Sequence, residues 1–379
     1  ASLAGANLVE ANLCGARLIL CDLRSANLTG ADLTDADLSG AELSDLDFTL
    51  VAKSSLIGVS LIGAHISGTN FRGVNLTGSD LSGLDLSRSD LRDTNLTEAI
   101  LSKCNLVSSD LSLTSLHGAI LKDALLARDG LKSVDLRESN LSGLDLSDFD
   151  LTRTKLVGAD LTGTILRGAI LNASDLSGQD LQNVDLANTD LRNANLRDCN
   201  LSNLDLSGFD LTGAILAGAN LSNVALRGTN LFGLDLSERD LKTVDLWGAN
   251  LQEADLSESD LSEVDLSNAD LNGANLVGAA LQRSLLCSTR LNGADLRDAD
   301  LSNANFQDAS LVGTDLSGSN LAGSNLVGAD LSSADLRNVD LTGADFAGAN
   351  LNNITISDST SWRDAIHLEL AIGLPSGWL

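Results

Sequence analysis

An apolar residue recurs every five positions along almost the whole chain, a period that neither an α-helix nor an ordinary strand has. The stretch ANLTGADLTDADLSG, residues 26–40, holds three such units in a row. The central apolar residue of each unit is here called its anchor. Anchors run every five residues from Leu3 to Phe48 and again from Leu56 to Ile356, and most of them are leucine. A repeat this regular constrains the fold more strongly than the length of the chain, from which several domains would otherwise be expected.

Each unit has the composition of a very short strand followed by a turn. The residue two before the anchor is usually Ala, Ser, Thr, Val or Cys, and the residue just before it is mostly Asp or Asn. Apolar residues two apart around a polar one indicate a strand, and the Gly, Ser, Asn and Asp that follow favour turns. Because so short a strand must pair with an equivalent one, and four units restore the chain direction, we predict an all-β, parallel β-helix of square section. About 20 residues would form one coil, with the anchors inside.

The repeated A(D/N)LxG pattern resembles the pentapeptide-repeat family over residues 1 to about 357. The resemblance implies a right-handed quadrilateral β-helix, whereas the functions of that family are diverse and imply little about activity. We therefore expect a first β-helical segment over residues 1–48, a register break or loop over 49–55, a main β-helical segment over 56–357 and a C-terminal cap over 358–379.

The charge of the chain restricts its partners. With 52 acidic and 24 basic residues, the net charge is −28, which disfavours direct binding to nucleic acid or to an anionic membrane surface. The apolar runs are too short for a transmembrane segment, so we expect a soluble protein. The chain starts inside a repeat without an initiator Met, and we take upstream sequence, with any targeting segment, to be missing.

Departures from the repeat are the candidates for function. The interruption FTLVAKSSLIGVS is a bulge, an extruded loop or a join between two segments, or else a partner-binding loop with Lys53 as its one charge. In addition, outward positions that should be Asp or Asn are apolar in the middle of the chain. They either are tolerated strand-forming residues or form a strip that docks a protein, and those singled out are Ile100, Ile120, Leu125, Ile165 and Ile170.

Several polar residues require an explanation in such a fold. Asp129, Gln179 and Arg239 lie two before an anchor, where burial without a partner is costly, so we expect these side chains to escape at a bulge or a corner. Stacking by 20 residues also places Asp295, Asp315 and Asp335 in one column. We expect backbone N–H groups at the turns, and interleaved Asn such as Asn275, to compensate this repulsion.

No pattern indicates a catalytic residue, a metal site or a cofactor, so we expect a protein that is not an enzyme. The five cysteines are scattered without a CxxC pair, which supports neither a disulfide framework nor a zinc site. Cys14 and Cys287 follow anchors and should face solvent, which suits a reducing, intracellular compartment. None of His65, His117 and His367 can be aligned with a nucleophile and an acid.

The last residues depart from the repeat and predict a short amphipathic helix. Ser361 with Asp364 resembles a capping box and Gly373 a helix stop, while Trp362, Ile366 and Leu370 share one helical face. We expect this helix to cap the last coil. The alternative is a dimerising helix, and thus a homodimer through a terminus.

Two functions compete. The first is a non-enzymatic rigid rod that serves as a protein-protein interaction or structural scaffold. The second is an acidic DNA mimic that binds a type II topoisomerase or another DNA-binding protein, as in the gyrase-protecting members that the sequence resembles in fold. About 18 coils at ~4.8 Å each would spread the net charge more thinly than the phosphates of B-DNA. We therefore favour the scaffold, without naming its partner.

Overall fold

The computed structural model describes residues 1–51, 56–66 and 68–374 of the chain. The chain divides into two compact units, unit 1 at Ala1–Asn195 and unit 2 at Leu196–Leu379. In both units, parallel bridges join residues 20 positions apart, such as Asn75 with Asn95 in unit 1 and Asp295 with Asp315 in unit 2. The predicted 20-residue coil is therefore confirmed.

The strands are even shorter than predicted, because each side of a coil contributes little more than one bridging residue. The longest strands among the described residues are Asn105–Leu106 and Leu125–Leu126, which pair in parallel with Asn105 opposite Leu125. Two 3-10 helices occur in the described residues, at Phe48–Leu50 and Leu368–Leu370. Stability therefore comes from stacking one coil on the next rather than from any long element.

The interior of each unit is filled by the anchors and the small residues beside them. Leu131, Leu151 and Leu171 in unit 1, and Leu301 and Leu331 in unit 2, are fully buried. The Phe48 and Phe71 rings stack with centroids 5.5 Å apart and an angle of 10° between their planes. Removing this much apolar surface from water is the main favourable term in folding such a coil.

Many hydroxyl groups inside the coils bond to the backbone of the coil before them. Thr229 Oγ1 donates to the carbonyl of Leu206 at 2.9 Å, and Ser174 Oγ to that of Leu151. The same bond, from an inward residue to the anchor carbonyl 23 positions earlier, is made by Ser79, Thr94, Thr114, Thr154, Thr164, Thr289 and Thr314. Most inward Ser and Thr are thus satisfied donors as well as small residues, whereas the buried hydroxyls of Ser319 and Ser324 have no hydrogen-bond partner.

Every coil turns through residues in the left-handed region of backbone conformation. At most turns the second residue after the anchor has a φ near +60°, whether it is glycine, as at Gly143 (71°), or not, as at Asp148 (59°) and Leu113 (61°). Gly, Asn and Asp tolerate this conformation best. The requirement explains the composition of this position in the repeat.

The interruption after Phe48 enlarges one coil by three residues. Asp37 bridges Ser60, Glu42 bridges His65 and Asp47 bridges Asn70, each pair 23 positions apart. Asp47 caps the first 3-10 helix by accepting a hydrogen bond from the N–H of Thr49. The parallel ladder therefore continues across the interruption in unit 1. Residues 52–55, and with them Lys53, lie outside the described residues.

The predicted C-terminal α-helix is wrong, because the chain continues to pair as a coil. Ser361 bridges Asp340, Ile366 bridges Asp345 and Ile372 bridges Asn350, at spacings that lengthen from 21 to 22 residues. The preceding coil offers an edge of N–H and carbonyl groups, and pairing with it outweighs local helix propensity. One bond of this pairing runs from the Leu341 N–H to the Ser361 carbonyl at 2.8 Å.

The three residues assigned to the cap therefore lie differently from the prediction. Trp362 takes an anchor position, and its ring centroid lies 5.3 Å from that of Phe346. Ile366 and Leu370 are exposed, and Leu370 belongs to the second 3-10 helix. The spacing of four residues that suggested a shared helical face instead reflects a coil with inserted residues.

Candidate interaction surface

The outward Asp and Asn side chains are held by their own turns. Asp340 Oδ1 accepts hydrogen bonds from the N–H of Thr342 at 3.0 Å and from its hydroxyl at 2.5 Å. Because these bonds favour the charged form, the pKa of Asp340 lies below its ordinary value, with the hydroxyl contributing most. The same bond to the N–H two residues on recurs at outward positions throughout both units, so the predicted local compensation is confirmed.

Arginine neutralises part of the remaining charge. Arg92 Nε and Nη2 donate to the two carboxylate oxygens of Asp90, which lowers the pKa of Asp90 to about 2. In the acidic column of unit 2, Arg297 binds Asp295 and Arg337 binds Asp335 in the same way. The Arg side chains thus form ion pairs with carboxylates on their own turns. These ion pairs reduce the negative electrostatic field that the column presents to a partner.

Interleaved asparagine links the acidic column. Asn275 lies between Asp255 and Asp295 in the ladder, and its Nδ2 donates to Asp255 Oδ1 at 2.9 Å. Asn320 makes the equivalent bond to Asp300, and Asn350 to Asp330. The role predicted for Asn275 is confirmed. It does more than dilute charge, because it donates to the neighbouring carboxylate.

Apolar side chains replace these polar groups at a few outward positions of unit 1. Ile100 and Ile120 form a parallel bridge and stack on one side of the coils, as predicted, and Ile120 is 37% exposed. Leu125 pairs with Asn105 on the next side and is 58% exposed. The side chains of Ile120 and Leu125 cannot accept a hydrogen bond from the turn as Asp or Asn does. Their exposed apolar area is therefore not offset by such a bond.

The remaining members of the predicted strip are more scattered. Ile165 lies between Asp145 and Asp185 in the ladder, and Ile170 lies between Asp150 and Asp190 on the following side. Both are about 40% exposed. The structure therefore brings Ile100 and Ile120 together, whereas it flanks Ile165 and Ile170 with carboxylates.

The inward polar residues behave in three different ways. Asp129 is exposed, as predicted. Gln179 does not escape: it is buried, and its Nε2 donates to the Leu156 carbonyl at 2.5 Å. Arg239 is half-buried and donates to the carbonyls of Ala219 and Leu216, and this burial lowers its pKa. Long donors can remain inside because the coil beneath supplies carbonyl oxygens, which the sequence pattern does not reveal.

The titratable residues of other types are dispersed. Cys21, Cys104 and Cys199 are buried, and burial raises the pKa of the Cys104 thiol to about 11. Cys14 is exposed, whereas Cys287 is half-buried rather than facing solvent as predicted.

Each histidine lies near one carboxylate, at 3.8 Å for His65 and Glu42, 3.7 Å for His117 and Glu138, and 2.8 Å for His367 and Asp345. Within residues 1–51, 56–66 and 68–374, no group of three or more His, Cys, Asp or Glu side chains is arranged to hold a metal ion. The same part of the chain contains no helix long and apolar enough to cross a membrane.

Comparison with known families agrees with this architecture. The family described as "Pentapeptide repeats (8 copies)" matches the chain in overlapping segments at residues 1–35, 16–51, 54–93, 89–126, 131–168, 169–208, 194–233, 240–278, 249–286, 279–318 and 314–353. The chain belongs to the pentapeptide repeat family, and its fold is the quadrilateral β-helix of that family. A comparison with curated proteins found no match.

Solved structures of the family are also similar. HetL, a pentapeptide repeat protein involved in heterocyst differentiation regulation in Nostoc sp. strain PCC 7120, is 24% identical over 80% of this chain and 91% of its own, with a TM-score of 0.26. Trypsin-treated QnrB1, a plasmid-mediated fluoroquinolone resistance protein, is 21% identical over 41% and 90%, with a TM-score of 0.25. Rfr23 from the cyanobacterium Cyanothece 51142 is 25% identical over 36% and 90%, with a TM-score of 0.16.

Proposed function

We propose that the chain is a non-enzymatic scaffold that binds other proteins through the outer sides of its coils. In the regular repeat, the apolar residues fill the interior and the Asp and Asn side chains bond to the turns. A function is therefore expected at the positions that depart from the repeat. In unit 1 those positions, here called the candidate partner surface, lie on three successive sides of the coils and are Ile100, Ile120, Leu125, Ile165 and Ile170.

The observation that supports this proposal is that exposed apolar side chains replace Asp or Asn at outward positions where Asp or Asn would stabilise the turn. An outward Asp or Asn accepts a hydrogen bond from its own turn, as Asp160 does from the Thr162 N–H at 3.0 Å. Ile120, Ile165 and Ile170 cannot accept this bond, yet they remain partly exposed. A side chain that gives up a local bond without being buried is typical of a surface that is covered by a partner.

The experiment restores the repeat at these positions. The triple variant Ile120→Asn, Ile165→Asn, Ile170→Asn keeps the backbone and supplies the missing acceptors, so its melting temperature should be equal to or above that of the wild type. Affinity purification from the source cells, quantified by mass spectrometry, should lose specific partners relative to wild type. The matched control is Ile215→Asn, an equivalent exposed position in unit 2. If the triple variant retains every partner, this surface does not bind them.

The alternative is the acidic DNA mimic, and the observation that favours it is the column of carboxylates in unit 2. Asp235 bridges Asp255, and Asp295, Asp315 and Asp335 follow in the same column. Arg297, Arg337 and Asn275 offset part of this charge. A mimic should bind a type II topoisomerase with an affinity that falls steeply as salt rises. Absent or salt-independent binding would exclude it.

A further inference from the structure

One anchor of unit 1 departs from the rest of its column. Leu106 and Leu146, one coil before and one coil after it, are each 1% exposed, whereas Leu126 between them is only half-buried. Its neighbours Val107 and Leu125 are 42% and 58% exposed. An anchor leucine that its own coil leaves partly uncovered forfeits burial energy that the equivalent positions obtain.

The regular repeat is also interrupted in the next few residues. Arg128–Ser133 form one continuous turn in place of the usual bridge, and the Gly130 N–H donates to the Ala127 carbonyl at 3.1 Å. The Asp150 N–H consequently bonds to the Arg128 carbonyl, 22 residues earlier, where the regular spacing is 21, as for Asp160 and Ser139. The bonding register is therefore displaced by one residue directly after Leu126.

A groove of about 490 Å³ lies at this coil on the outside of unit 1. Its apolar wall includes Val107, Leu125, Leu126, Leu144, Leu146 and Phe149, and its charged lining consists of Asp123 and Asp145, without any Lys or Arg. The volume falls in the range of ligand sites, about 300–1,000 Å³. We name this site the Leu126 groove.

We propose that the Leu126 groove binds a short segment of a partner protein in which one or two large apolar side chains are flanked by Lys or Arg. The apolar wall selects the apolar side chains by burial, and the two carboxylates select cations by charge complementarity. The inference rests on the proposed scaffold function and assigns it a specific recognition site. An acidic or purely polar segment would meet repulsion and leave the apolar wall uncovered.

The experiment uses a random heptapeptide library displayed on phage and selected on the full chain. The enriched sequences should share a large apolar residue with a basic neighbour, and fluorescence anisotropy of the labelled peptides then gives their affinities. Leu125→Asp separates groove binding from general attraction to an acidic protein, because the added charge strengthens the latter and disrupts the former. Ile215→Asp is the matched control in unit 2.

The proposal expects about tenfold or greater weakening by Leu125→Asp and unchanged affinity in Ile215→Asp. Failure of the selection to enrich any sequence, enrichment of acidic sequences, or affinity that Leu125→Asp leaves equal or raises would overturn it. These outcomes are independent of the triple asparagine variant, which leaves Leu125 in place. The scaffold function would therefore survive the loss of the groove, provided that the triple variant still loses partners.

Discussion

Thr229 Oγ1 lies 2.9 Å from the carbonyl oxygen of Leu206 and donates a hydrogen bond to it, which joins two adjacent coils of unit 2. The hydroxyl is fully buried. Thr229→Val keeps the shape of the side chain but removes the donor, and should lower the free energy of unfolding by about 1 kcal/mol. Chemical denaturation measures this. The control Thr355→Val alters an exposed hydroxyl at an outward bridge position of unit 2 and should change the value by less than about 0.5 kcal/mol. Equal effects in the two variants would contradict the role of the inward hydroxyls.

The Asn275 ladder gives a second prediction. Asn275→Asp removes the donor to Asp255 and places a third carboxylate between Asp255 and Asp295. The bond from the Val277 N–H can remain, because a carboxylate also accepts it. We expect a destabilisation of about 1 kcal/mol at low ionic strength, partly relieved by salt.

Denaturation at two salt concentrations tests this expectation against a matched variant. Asn188→Asp adds the same charge at an exposed turn residue of unit 1 with a φ of 59°. It should cost much less than Asn275→Asp and show little salt dependence. A salt-independent or negligible effect of Asn275→Asp would show that the ladder does not need a donor at this position.

The left-handed turn position gives a third prediction. Leu113 has a φ of 61° and is 77% exposed, so its side chain gains little from packing while its backbone is strained. Leu113→Gly should raise the free energy of unfolding by about 0.5–1 kcal/mol. Gly293→Ala, at φ 65° with open space around the added methyl group, should lower it by a similar amount. Destabilisation by Leu113→Gly would mean that this leucine makes stabilising contacts of its own.

The last coil carries a pH-dependent contact. His367 Nδ1 lies 2.8 Å from Asp345 Oδ1, and this hydrogen bond and the carboxylate charge raise the pKa of His367. Although burial opposes it, the same contact holds the pKa of Asp345 below its usual value. Because the pKa of His367 is raised on folding, its stabilising contribution is complete below its unfolded pKa of ~6.5 and is lost as pH rises through the folded value.

Proton NMR titration of the three histidines tests this sign. One imidazole should titrate above ~6.5 in the wild type, and Asp345→Asn should return it towards that value. The difference in melting temperature between wild type and His367→Gln should be largest near pH ~5, where His367 is protonated and Asp345 is still ionised, and should shrink as the pH rises past the folded pKa of His367. A His367 pKa unaffected by Asp345→Asn would refute the contact.

The repeat predicted most of the fold because each column of the unit has a single physical role. The five-residue spacing sets which residues face inward, and the frequency of Asp and Asn predicts the turn bonds that Asp340 and Asp160 make. The stacking of Ile100 on Ile120 follows from the 20-residue coil alone. These features are local and repeated, so a single sequence contains many copies of the evidence for them.

The features that sequence missed arise where one coil acts on the next. A capping-box pattern around Ser361 favours a helix locally, but the edge of the preceding coil pairs with Ser361 and Ile366. Burial of the Gln179 side chain is expected to be unfavourable from sequence, because the sequence does not reveal that the Leu156 carbonyl accepts its hydrogen bond. The Leu126 groove lies beside a one-residue shift in bonding register at Arg128, and only the unusual sequence ARDGL could have signalled that shift. Such effects depend on which carbonyl lies one coil away.

The central claim is that each unit is built of in-register coils of 20 residues, and a spin-label distance tests it most directly. Ser237→Cys and Ser317→Cys lie 80 residues apart in one column of unit 2, so four steps of ~4.8 Å should separate their backbones by ~19 Å. The native cysteines would be replaced by Ser or Ala in this background. Double electron–electron resonance should give one narrow distribution consistent with that spacing. A broad distribution, or a mean separation far from it, would contradict the stacked coils.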